Sequence, residues 1–185
     1  MTERAAATAR TTRIAVGALA LLGGLVAFVA GFLPWLSAGT EDGGTTSITG
    51  WGGITGSSQI AGTNLNDVLN GAGTYRPGLI GLIFGVIAAV AGVVIMAHLP
   101  DGRRPHRITA AVLTGCGLVC LGFGLWRGLA PGDASVFDPG ETSAAAGPWS
   151  TAAGGVLMLV AAALVFAGRI DVAVARPVRR GIQPR

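Results

Sequence analysis

Four long apolar runs, each free of charge, alternate along this chain with polar segments. The first, residues 14–36, reads IAVGALALLGGLVAFVAGFLPWL, and no charged residue falls between Arg13 and Glu41. About 20 apolar residues suffice for an α-helix to cross a hydrocarbon layer of roughly 30 Å. The other three runs predict helices over 77–98, 108–126 and 149–168. Pro34 lies in the last turn of the first run, where it can end a helix. Pro77 suits a first helical position, because proline lacks an N–H that would go unpaired there anyway. The fold expected is an all-α integral membrane protein: a four-transmembrane-helix antiparallel bundle with a small extracytoplasmic loop cap. A secretory signal peptide is the rival for the first run. Its apolar core would normally span about 7–15 residues before a cleavage site, and this run is longer, so an uncleaved helix is preferred.

The connecting segments are a basic lead (1–13), a first outer loop (37–76), an inner turn (99–107), a second outer loop (127–148) and a basic tail (169–185). Within the first outer loop, Thr45–Trp51 mixes β-branched and polar residues and predicts a short strand. Asn64–Leu69 predicts a helical turn with Asn64 as its cap. A loop this long with no structure of its own is unusual, so it is expected to fold over the outer helix ends.

Charge placement sets the threading. The lead, the inner turn and the tail hold eleven of the 13 arginines, and the two outer loops with their helix ends hold only Arg76 and Arg127. Six of the nine acids lie in those outer segments. Arginine favours the cytoplasmic side of a span, which places both termini in the cytoplasm of a plasma (inner) membrane. Trp35, Trp51, Tyr75, Trp126 and Trp149 all fall on the outer side, where aromatic rings anchor at the headgroup layer. The tail arginines Arg176, Arg179 and Arg180 are expected to meet anionic lipid headgroups. The net charge of +4 is thus read as charge beside a membrane, and nucleic acid is not an expected partner. The absence of lysine and the abundance of Ala and Gly point to a GC-rich genome.

Small residues recur at four-residue steps along the helices: Gly23, Ala27 and Gly31; Gly81, Gly85 and Ala89; Cys116, Cys120 and Gly124. Such stripes let helix backbones approach closely in lipid. The two halves share an outline of helix, Trp, acidic loop, Pro and helix, which is a parallel repeat if it is one.

Candidate chemistry is sparse. No ionisable group lies at mid-depth in any of the four runs, which argues against proton-coupled transport and a charge-lined pore. His98 and His106 flank the inner turn without ligand spacing, so no metal or cofactor is expected. Glu41, Asp42, Asp133, Asp138 and Glu141 are the acids available for an outer cluster. Two adjacent pairs, Tyr75-Arg76 and Trp126-Arg127, set a ring beside a cation at the outer surface, where a cation–π or lipid-phosphate contact is plausible.

Leu33-Pro34-Trp35, Thr49-Gly50-Trp51 and Pro148-Trp149, set among four short spans, resemble small actinobacterial four-span membrane proteins such as the tryptophan-associated transmembrane proteins. That resemblance covers the chain in outline and implies no activity and no catalytic residues. Claudin-like tetraspans share the outline, but their paired outer cysteines are missing here. The function expected is non-enzymatic: an accessory or scaffold subunit of a larger cell-envelope membrane complex, in lipid transport or respiration. Its expected partners are membrane lipids and another integral membrane protein or further copies of itself. A small transporter or oligomeric pore is the alternative, and an envelope enzyme using Asp133, Asp138 and Glu141 is a third.

Overall fold

The computed structural model describes residues 2–39, 43–69, 74–97, 103–134 and 142–168. Outside them lie Arg176, Arg179, Arg180, His98, Glu41, Asp42, Asp138 and Glu141, and with them the expected tail contacts and most of the acidic cluster.

The elements in chain order are α1 (Thr2–Ala30), β1 (Pro34–Gly39), β2 (Thr45–Thr49), β3 (Ile54–Gly56), the one-turn α2 (Leu65–Val68), α3 (Gly78–Ala97), α4 (Arg103–Leu129), a 3-10 turn (Pro131–Ala134), β4 (Thr142–Ala144) and α5 (Ala146–Phe166). Among the described residues, four helical stretches are long and apolar enough to cross a membrane: Arg10–Ala30, Gly78–Ala97, His106–Leu129 and Ala146–Phe166. At 1.5 Å per residue, the 21 residues of α5 reach about 31 Å.

The bundle core is rich in small residues, joined by a few large ones such as Leu113 and Met158, and many large side chains turn outward. Ala20, Ala27, Ala88, Cys116, Cys120 and Ala161 are core, whereas Leu22, Val29, Val90, Ile108, Leu118 and Val160 are exposed. A water-soluble bundle has the opposite arrangement, because there the large side chains drive burial.

α1 packs along α3 and α5, α4 packs along α5, and α3 meets α4 more loosely, so the four helices form a ring. What lets α1 and α3 meet is a repeat of seven. Gly17, Gly24 and Gly31 face Gly92, Gly85 and Gly78 in antiparallel register. A Cβ on Gly24 would lie 2.5 Å from the Gly85 carbonyl oxygen, and one on Gly85 would lie 2.6 Å from that of Gly24. Side chains cannot occupy such gaps, so the backbones touch, in the geometry of Cα–H···O contacts. Seven residues per two turns is also the period of left-handed packing at a shallow crossing. The α4–α5 pair repeats the device: Gly117 and Gly155 are reciprocal at 2.9 and 2.7 Å, and Gly124 faces the Pro148 carbonyl at 2.6 Å. The four-step stripe of Gly23, Ala27 and Gly31 therefore does not serve one partner. Gly23 and Ala27 meet Gly154 of α5, while Gly31 meets Gly78 of α3. Gly81, Gly85 and the backbone of Ala89 all face α1.

The fold is mostly helical but not all-α. One end of the bundle carries a four-stranded antiparallel sheet in the order β3-β2-β1-β4. The chain leaves the helix after Ala30, and Pro34–Leu36 belong to a strand instead of a span. β1 sits centrally, pairing with β2 through Ser37↔Ser47 and with β4 through Ser37↔Ser143. Leu36, Ile48, Ile54 and Leu65 close a second small core beneath the sheet. β2 falls within the expected Thr45–Trp51, and Asn64 caps α2 by accepting from the Asn66 N–H at 3.0 Å.

Trp35 ties β1 to the helices, packing against Phe123 of α4 and Gly147 of α5. It was expected at a membrane surface, but it is fully buried. Its indole N–H donates at 2.9 Å to the helix-end carbonyl of Ala30, which also accepts from the Leu33 N–H at 3.3 Å. The close approach of Gly147 leaves no room for a side chain there. Gly50 splices the next helix to this corner. Its N–H donates to Leu33 at 3.1 Å, and its carbonyl accepts from the Gly78 N–H at 3.0 Å, at the start of α3.

Candidate functional site

α3 begins where antiparallel α4 ends, so the segment before α3 and the last turns of α4 share the sheet end of the bundle. This brings together the two ring–cation pairs that stand apart in the sequence. Tyr75, Arg76, Trp126 and Arg127 line one open cavity of about 600 Å³, together with the polar Thr74 and Asp133 and the apolar Pro77, Leu79 and Phe123.

Arg127 is the unusual member. It is 6% exposed, yet it has no acidic partner among the described residues, and its Nε has no hydrogen-bond partner there. Burying a guanidinium without a counter-charge is costly. Part of that cost is offset by the rings of Trp126 and Tyr75, whose centres lie 5.7 and 6.0 Å from its Cζ. Its place in the last turn of α4 also sets positive charge at the favourable end of the helix dipole. The Trp126 indole N–H donates to Asp133 Oδ2 at 3.2 Å, which fixes the ring's outer edge. Phe123 stands between Trp126 (5.9 Å) and the buried Trp35 (5.6 Å), so the pocket wall continues into the core.

Tyr75 is held by a residue that sequence reasoning did not single out. Asn66 accepts from the Tyr75 N–H at 2.6 Å and donates to the Tyr75 carbonyl at 3.3 Å. Its amide also donates to Asn64 Oδ1 at 2.8 Å and to the Trp51 carbonyl at 3.3 Å. The signal was the Asn64-Leu65-Asn66 step, of which only the capping half is legible without the tertiary fold.

The other expected anchors divide. Trp126 and Trp149 are exposed, at 52% and 45%. Trp51 is half-buried against Phe32, with ring centres 5.9 Å apart. Cys116 and Cys120 are free thiols inside the bundle. Among the described residues, no group of three or more His, Cys, Asp or Glu side chains could hold a metal ion.

Burial raises the Tyr75 phenol above its ordinary value of 10.0, and the nearby Arg127 guanidinium opposes that rise. Tyr75 is the single tyrosine, so the tyrosinate absorbance band reads it alone. The folded protein is expected to titrate above 10.0 and the denatured protein at the ordinary value. Arg127→Gln should push the folded value higher still. Because the folded value is raised, this contribution to stability is complete below the ordinary value and is lost as the pH climbs through the raised one. A folded titration at the ordinary value would mean that the ring is open to water.

Neither a known protein family nor a curated protein matches this chain.

Proposed function

We propose that this protein is a polytopic membrane protein acting as an accessory or scaffold subunit of a larger complex in the cell envelope, with lipid transport or respiration as its setting. The observation that carries the reading is the inverted distribution of side-chain size. Many large aliphatic side chains on all four long helices face outward, while glycine and alanine bring the helices to backbone contact and share the interior with a few larger side chains such as Leu113 and Met158. The first half of that pattern suits lipid as solvent. The second holds α1 to α3 and α4 to α5 at backbone contact at the Gly24–Gly85 and Gly117–Gly155 levels, which suits a rigid binding scaffold. Arginine placement supports a plasma membrane with both termini inside, and so puts the sheet and its pocket outside.

Affinity purification from native membranes in mild detergent tests the reading. A defined larger membrane partner at fixed stoichiometry is the expected result. Recovery of the free chain alone would count against it, and solute flux from the purified protein in liposomes would favour the transporter alternative.

A further inference from the structure

We propose that the Arg76–Arg127 pocket is a binding site for a phosphate-bearing anion, supplied by the headgroup of an anionic phospholipid. The assignment rests on the membrane reading above.

Three observations converge on it. First, Arg127 is nine-tenths buried and lines the cavity, and its enclosed Nε has no hydrogen-bond partner. Rings near a guanidinium accept none of its in-plane N–H bonds, so the cation is left without the oxygens that a phosphate supplies. Secondly, the local charge is positive. Arg76 is a second, exposed cation on the lining, while Asp133 stands at the exposed rim with its carboxylate accepting from Trp126. Thirdly, the cavity lining is chemically mixed. Leu79 and Phe123 line it together with the two cations, and exposed Ile83 follows Leu79 one turn along α3. A molecule with an anionic head and hydrocarbon tails would use both kinds of lining, whereas free phosphate would use only the cations. The cavity volume of about 600 Å³ is also that of an ordinary small-molecule site.

The test uses the full chain in a neutral detergent, titrated separately with short-chain phosphatidylglycerol, short-chain phosphatidylcholine and inorganic phosphate. Tryptophan fluorescence reports binding, W126F assigns the signal, and native mass spectrometry counts bound lipid. The expected result is saturable binding of one phosphatidylglycerol, at least tenfold tighter than phosphatidylcholine. R127Q should weaken it at least tenfold. R76Q, at an exposed position, should weaken it several-fold and keeps the test decisive if R127Q does not fold. Saturation by inorganic phosphate, with no gain from the lipid, would support the anion site and overturn its lipid source. Absence of saturable binding, or equal affinity in the wild type, R76Q and R127Q, would overturn the site. A chain that needs detergent to stay dispersed but binds no anion fails only this inference; a chain freely soluble in water fails the membrane reading itself.

Discussion

Leucine at Gly24 or at Gly85 is expected to separate α1 from α3. Each position leaves 2.5–2.6 Å between a built Cβ and the opposite backbone oxygen, and neither neighbour is a side chain that can turn away. Overpacking of a tight core costs about 1–3 kcal/mol, and a backbone collision belongs at the upper end. About 3 kcal/mol corresponds to roughly 10 °C in a chain of this size. The loss should appear as a lower unfolding temperature in detergent, followed by circular dichroism or by the monodisperse fraction on size exclusion. Gly115 and Gly122 are the controls: both lie in α4, and a Cβ at either meets open space. Alanine there removes the entropic penalty of a mid-helix glycine, worth roughly 0.5–1 kcal/mol, so those variants should match or exceed the wild type. Equal sensitivity at Gly24 and Gly122 would show that the seven-residue contact is wrong.

Truncating Trp35 should have an effect of similar or larger size. Trp35→Ala removes a fully buried indole and opens a cavity where the bundle meets the sheet. Such changes cost about 3–5 kcal/mol. Trp35→Phe keeps much of the ring volume but removes the shorter of two bonds to the Ala30 carbonyl, which keeps the Leu33 N–H at 3.3 Å, so a loss of about 0.5–1.5 kcal/mol is expected. Trp149→Ala deletes the same side chain at a position 45% exposed, where the ring lies against Gly128, and a clearly smaller loss than at Trp35 is expected there. Thermal unfolding of the three variants side by side checks the order. A Trp149 variant as damaged as the Trp35 variant would refute the central placement of Trp35.

These two positions also show how far the sequence reads. The charge-free runs betray the helices directly, because a long apolar segment has few other fates. The same criterion misplaces the end of the first run. Trp35 and Leu36 are apolar because strand β1 buries them within the protein, and hydropathy does not separate burial in protein from burial in lipid. Strand β2 and the Asn64 cap were legible because both depend on local chemistry, namely β-branched residues and a side chain bonding two residues ahead. The glycine register was not. With 31 glycines, stripes at four and at seven steps can both be drawn, and only the partner helix selects between them. For the candidate site, each ring–cation pair was visible by itself. Their meeting, and the burial of Arg127, required knowing that α3 opens beside the end of α4.

The pairing of β4 with β1 has a consequence for how the protein is made. Ser143 reaches back to Ser37 across 106 positions of chain, so the fourth strand leaves the ribosome after α3 and α4 have been synthesised. Until then one flank of β1 is a bare row of amide and carbonyl groups, the kind of surface that recruits stray strands. Arrival of the last hairpin removes that liability. A nascent or clipped chain ending before residue 142 would keep it, and would be marked as unfinished by its own backbone.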